Sequence, residues 1–232
     1  MSRKANLHNA TDTFRYERKA VASGFMKVAG IDEAGRGPLA GPVVASAVIV
    51  RDNDFAERID DSKKLTERMR ERAFFEILQK CDVGIGMASV EEIDDLNILN
   101  ATLLAMKKAV AELEEEPDHL LIDGRMNVLV PQSRTYIIRG DSLSVSIACA
   151  SIIAKVFRDR MMMEEDRKYP DYGFARHKGY GTQQHISAIR EHGLCPIHRK
   201  TFGPFGSESR QKKKTDSFGS GRHAPGNRSF RG

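Results

Sequence analysis

With 232 residues, 40% hydrophobic and 30% charged, the chain has the size of one domain of about 200 residues with tails. Its apolar runs fall short of the ~18 residues a membrane span needs and its start, MSRKANLHNATDTFRYERKA, lacks the apolar centre of a signal peptide, so a cytoplasmic protein without membrane contact is expected. The net charge of +5 lies wholly in residues 207–232, where seven Lys/Arg face two Asp/Glu, and residues 1–206 are neutral, so a polyanion has to be attracted by local clusters of charge.

Residues 1–24 are polar with weak helical character and are expected to form an N-terminal appendage. "MKVAGID" and "VVASAVIV" read as strands, separated by a loop that Pro38 and Pro42 punctuate. "TERMRERAFFEILQK" reads as a helix with Thr66 as N-cap, and "DVGIGMASV" as a third strand. In "NILNATLLAMKKAVAELEEE", Leu99, Leu103, Met106, Val110 and Leu113 recur at helical spacing, which predicts one apolar stripe facing the core. "DHLLID" and "RTYIIRG" are short strands. "SLSVSIACASIIAKVFRDRMMMEEDRKY" is a long helix, and "TQQHISAIREHG" a last helix with Gly193 as its stop. Strands mixed with covering helices indicate an α/β layer architecture, with the domain over 25–206. The tail 207–232, rich in Gly, Ser and Arg, buries too little to offset its ordering entropy and is expected to be disordered.

Carboxylates stand at the ends of two of these strands. Asp32 and Glu33 follow an apolar run directly, and Asp123 ends "HLLID" just before Gly124. Neighbouring strand residues point to opposite faces, so Asp32 and Glu33 serve one site only at the strand's end, and ligand sites in α/β sheets lie beyond strand ends. Two more acids lie just before and within the long helix. Asp141 precedes it, and Asp159 shares a face with Ser151 and Lys155. Separated by roughly 27 Å at about 1.5 Å per residue, the two do not fit one small site together unless the loop folds back, and spacing alone leaves the choice open. A carboxylate cluster raises its own pKa values unless cations such as Mg²⁺ or Mn²⁺ relieve it, which points to two-metal phosphoryl hydrolysis. "GRGPLAG" has neither the glycine spacing nor the Gly-Lys-Ser/Thr ending of a nucleotide cradle. Cys81, Cys149 and Cys195 form no disulfide framework, and "CPIH" is half a zinc spacing without its other half.

"GIDEAGRGPLAGPVV", "DSKKLTERMRE", "LLIDG", "SIACASIIAKVFRDR" and "HKGYGTQQH…HRKTF" occur in this order. Together they resemble the type 2 ribonuclease H family, ribonuclease HII, over roughly residues 26–205. The resemblance implies an RNase H-like fold, a mixed β-sheet flanked by helices with a C-terminal helical segment. It implies a metal-dependent endonuclease with two divalent ions, Mg²⁺ or Mn²⁺, and a monomer is expected. Its substrates would be RNA–DNA hybrids and duplex DNA carrying a ribonucleotide, cut 5′ of the ribonucleotide to leave 3′-OH and 5′-phosphate ends. The resemblance assigns Asp32, Glu33, Asp123 and Asp159 as metal-binding and catalytic carboxylates, choosing Asp159 over Asp141. It assigns Gly35, Arg36 and Gly37 to the ribose 2′-OH, the group that marks RNA against DNA, and Tyr180 to stacking on the neighbouring sugar. Lys63, Lys64 and Lys155 resemble phosphate contacts. Residues 172–206, with Arg176, Lys178, Arg190, Arg199 and Lys200 against Glu191, form a local positive cluster where a phosphate backbone would lie. The rival is a non-catalytic nucleic-acid-binding protein whose acids are structural caps. A binding module would not turn converging carboxylates towards a polyanion.

Overall fold

A computed structural model of the chain describes residues 12–203, so the first eleven residues and the expected disordered tail lie outside the described residues. Helix α1 (Arg15–Ala22) is followed by strands β1 (Val28–Ala34) and β2 (Val43–Val50), helix α2 (Glu67–Lys80), strand β3 (Cys81–Ala88) and helix α3 (Val90–Ala111). Strands β4 (His119–Asp123) and β5 (Ser133–Ile137), the long helix α4 (Val145–Lys168), and helices α5 (Phe174–His177) and α6 (Gln183–His192) complete the domain. Local chemistry explains several boundaries. Thr66 Oγ1 accepts from the Met69 N–H at 3.3 Å and starts α2. Ser89 and Glu92 form a reciprocal capping box at the start of α3. Ser144 caps α4 through the Ile147 N–H.

The strands form one mixed sheet in the order β3-β2-β1-β4-β5. β1 runs antiparallel to β2, and β2 to β3. β1, β4 and β5 are parallel, with Ile31 opposite Ile122. The parallel register brings the C-terminal ends of β1 and β4, and thus Asp32 and Asp123, to the same edge. Helices cover both faces. Val48, Val83 and Ile85 pack against Cys149, Ala150 and Ile153 of α4, and burying each large apolar side chain there contributes about 1.5–3 kcal/mol. On the other face lies α3. A methyl group on Gly84 would sit 2.0 Å from Ala109 O, and one on Gly86 would sit 2.0 Å from Ala105 O, so the strand's bare positions let the helix backbone rest on the sheet. Gly30 plays the same part for α4, with Ser146 and Ile147 backbone atoms 2.1–2.5 Å from an added methyl.

Two expectations change. The apolar stripe of α3 is only partly the core line, since Leu99 is 47% exposed whereas Ala101, Ala105, Met106 and Ala109 are fully buried. Close approach of the helix to Gly84 and Gly86 selects small side chains at Ala105 and Ala109. α3 also bends at Asn97 (φ 68°), whose Oδ1 accepts from the Leu99 and Asn100 N–H groups and restarts the helix. The described part of the expected N-terminal appendage does not stand apart. Ala20 packs with Val28, Leu121 and Ile147, and Glu17 Oε1 accepts from Ser144 Oγ and from the N–H and Oγ of Ser146.

Candidate active site

An open cleft of ≈ 440 Å³ lies at the edge of the sheet where β1 and β4 end. Of the residues expected to act, it brings together Asp32, Glu33, Gly35, Arg36, Gly37, Lys63, Asp123, Lys155 and Tyr180. Alternation along β1 puts Asp32 on the face that Gly30 presents to α4, beside Ser151. Asp32 Oδ1 accepts from the Glu33 N–H at 2.8 Å, Glu33 Oε1 from Arg36 Nη1 at 3.2 Å, and Asp123 Oδ1 from the Gly140 N–H at 2.6 Å. Glu33 Oε2 is buried without a hydrogen-bond partner.

All three carboxylates hold their protons above the ordinary range. Burial pushes Asp32 well up, and the charges of Glu33 and Asp123 add to it against hydrogen bonding from Ser151. Burial also outweighs the attraction of Arg36 at Glu33. At Asp123, burial and the charge of Asp141 outweigh the Gly140 N–H and Lys63. Burial works against the charge of Lys63, but Asp141, Asp61 and Asp32 around it raise its pKa, and its Nζ reaches Asp141 Oδ2 at 3.4 Å.

Two expected residues do not line the cleft. Lys64 Nζ is engaged by Asp60 Oδ1 at 3.0 Å and Ser142 Oγ at 2.9 Å. Asp159 pairs with Lys155 Nζ at 2.7 Å one helical turn along α4, while Asp141, in the short 3₁₀ turn Gly140–Ser142, is buried and acts on both Asp123 and Lys63. Asp141 does not line the cleft any more than Asp159 does, but of the two it is Asp141 whose charge acts on Asp123. The turn folds Asp141 back from the start of α4 towards the end of β4, because the Gly140 N–H is tied to Asp123. Among the described residues, no three His, Cys, Asp or Glu side chains stand gathered as a ready metal cage.

The positive cluster over 172–206 also changes. Arg199 is 1% exposed, and Lys178 Nζ donates to Ala175 O, so neither offers a free surface charge. "CPIH" becomes a hydrogen-bonded relay instead of half a metal site. His198 Nδ1 accepts from the Cys195 N–H at 2.9 Å. Its Nε2–H then donates to His185 Nε2 at 3.0 Å, and His185 Nδ1–H donates to Tyr180 O at 2.9 Å. Burial and the neighbouring His185 push His198 down to about 4, which keeps the relay neutral and holds the Tyr180 backbone. The Tyr180 ring stays 47% exposed with Cε1 3.5 Å from a methyl placed on Gly37. Ser62, Ser151 and Arg158 also line the cleft. The helical spacing Ser151–Lys155 was the available signal for Ser151, whereas nothing local marked Arg158.

Comparisons with known proteins point to one family. The family model for ribonuclease HII matches residues 29–204. A ribonuclease HII of Acetivibrio thermocellus is 56% identical over 188 residues, covering 81% of this chain and 73% of that one. That of Geobacillus thermodenitrificans is 52% identical over 204 residues, covering 87% and 78%. Among solved structures, the ribonuclease H2 of Pyrococcus horikoshii superimposes with a TM-score of 0.66 at 26% identity, covering 82% of this chain and all of that one.

Proposed function

Because the chain belongs to the ribonuclease HII family and is with it a ribonuclease H, a hydrolase of phosphodiester bonds, we propose that it cuts the RNA strand of RNA–DNA hybrids and the 5′ side of single ribonucleotides embedded in duplex DNA. The observation that carries this reading is the convergence of Asp32, Glu33 and Asp123 in one cleft with the glycine loop and Tyr180. Three buried acids repel a polyanion unless cations intervene, so the arrangement favours an enzyme over a binding module.

The donor set suits hard divalent ions such as Mg²⁺ or Mn²⁺. It is all oxygen, its carboxylates repel one another, and Glu33 Oε2 has no partner. Asp32, Glu33 and Asp123 would hold two ions, with Asp141 as the fourth carboxylate in place of Asp159. Bound there, the ions supply a hydroxide at neutral pH and stabilise charge on the phosphoryl oxygens. The chain's own residues do the rest. Lys63 and Lys155 line the cleft where a phosphate would enter. The backbone of Gly35, Arg36 and Gly37 meets the ribose 2′-OH, and the half-exposed ring of Tyr180 stacks on the adjoining sugar, holding the scissile bond in position.

The test is cleavage of an end-labelled duplex containing one ribonucleotide, with Mg²⁺, with Mn²⁺ and with EDTA. The expected result is a cut on the 5′ side leaving 3′-OH and 5′-phosphate ends in either metal and none in EDTA. Products carrying 2′,3′-cyclic phosphate would mean that the substrate's own 2′-OH attacks, and would overturn the reading.

A further inference from the structure

Beneath the loop 35–42 lie two guanidinium groups, Arg158 and Arg199, each 1% exposed. Arg158 donates from Nε to Pro42 O at 2.9 Å, from Nη2 to Ala40 O at 3.1 Å and from Nη1 to Lys178 O at 3.0 Å. Arg199 donates from Nη2 to Gly35 O at 2.6 Å, Gly41 O at 2.7 Å and Pro42 O at 3.3 Å. It donates from Nη1 to Arg36 O at 3.0 Å and from Nε to Gly41 O at 2.9 Å. The carbonyls of residues 35, 36, 40, 41 and 42 thus all turn inward to the two arginines.

Such an arrangement is costly. Burial lowers the pKa of both groups, Arg158 to about 10 and Arg199 to about 9, and the charge of Arg158 lowers Arg199 further. What a guanidinium adds is a planar fork of five N–H donors that collects several carbonyls from a turning backbone. The loop lies so close that a methyl on Gly35 (φ +96°) would stand 2.0 Å from Arg158 Nε, so that position is bare on its inner side as well as its outer one.

The inward carbonyls fix the amides. A trans peptide holds its C=O and N–H on opposite sides, and no described peptide is cis. With the Gly35 carbonyl on Arg199, the Arg36 N–H points the other way, and the Arg36 carbonyl does the same for the Gly37 N–H. The β1–β2 ladder ends at Ala34 opposite Val44. Neither of these N–H groups has a backbone partner among the described residues, and both residues line the cleft. We infer that Arg199, seconded by Arg158, is a positioning residue for ribose recognition: by gathering the loop's carbonyls inward it aims the Arg36 and Gly37 N–H groups at the 2′-oxygen. The inference rests on the ribose-reading role proposed above for the loop.

The test compares wild type, Arg199→Lys and Arg199→Ala by two readouts. One is kcat/KM on a duplex with a single ribonucleotide, and the other is the Ki of an all-DNA duplex of the same sequence, which reports phosphate binding alone. Expected is a loss of at least about tenfold in kcat/KM for both variants, the cost of a misdirected hydrogen bond, with Ki unchanged. Guanidinium chloride should restore the Ala variant where equal NaCl does not. Parallel loss in kcat/KM and Ki, or a folded Lys variant with wild-type kcat/KM, would overturn the positioning role. If neither variant folds, amide hydrogen exchange on the wild type decides. Rapid exchange at Arg36 and Gly37 in the free protein, with protection by the ribonucleotide duplex only, is expected, and slow exchange in the free protein overturns the inference. A wild-type enzyme that cuts all-DNA duplex as readily would instead remove the ribose-reading role itself.

Discussion

The cleft wall buries two groups of like charge and treats them in opposite ways. On the sheet edge, Asp32, Glu33 and Asp123 repel one another, hold their protons too tightly, and leave Glu33 Oε2 without a partner. Beneath the loop, Arg158 and Arg199 also repel, yet Nε, Nη1 and Nη2 of each donate to a backbone carbonyl. Buried polar groups are normally satisfied. Charges satisfied from within are architecture, and charges left in deficit await something from outside. The acids are therefore the side of the cleft that takes ligands, and the arginines are the side that shapes it.

The sharpest way to break this contrast is to neutralise an acid. Asp32→Asn should lower kcat by on the order of a thousandfold or more, beyond the ~10–100-fold typical of outer-shell partners, while the melting temperature in EDTA rises. A gain of about 1 kcal/mol would appear as ~2–4 °C in a domain of this size. An active variant, or one that melts earlier, would end the view of these acids as ligands in deficit.

Next is the choice of the fourth acid. Asp141→Asn should cost about 100-fold in kcat, and Asp159→Asn, which only releases Lys155, about threefold or less. Steady-state rates on the single-ribonucleotide duplex rank the two, and equal losses would return Asp159 to the site.

Neutralising a base should do the reverse of neutralising an acid. Arg158→Met orphans the carbonyls of Ala40 and Lys178, leaves Pro42 O to Arg199 alone, and should destabilise by about 2 kcal/mol at ~1 kcal/mol per orphan, read by thermal or urea unfolding. A variant as stable as wild type would deny the arginines their architectural role.

The smallest effect is the pH dependence of stability without metal. The folded-state pKa values of Asp32, Glu33 and Asp123 are raised, so the folded protein binds protons that the unfolded chain has already released. Their contribution is fully present below the ordinary carboxylate range and is lost as pH rises through the raised values. Melting temperature in EDTA should fall over that window, Asp32→Asn should flatten the fall, and divalent ions should abolish it. Activity should rise over the same window as the ligands ionise.

What local pattern determines was legible in the sequence. The apolar run of β2, the Thr66 cap of α2 and the long α4 follow from periodicity and capping, and Asp32, Glu33 and Asp123 declared themselves as acids at the ends of apolar strands. The relations between elements were not legible. Leu99 looked like core because hydrophobicity records how much area a side chain can bury, whereas the α3–sheet contact is set by how closely Ala105 and Ala109 approach Gly84 and Gly86. Spacing along a helix located Asp141 and Asp159, but only the turn at Gly140, tied to Asp123, decides which of them faces the acids. Arg199 read as a surface charge because an arginine in a sequence implies water or phosphate. That it lies buried under carbonyls from residues more than 150 positions away depends on the loop's path in three dimensions, which no local spacing encodes.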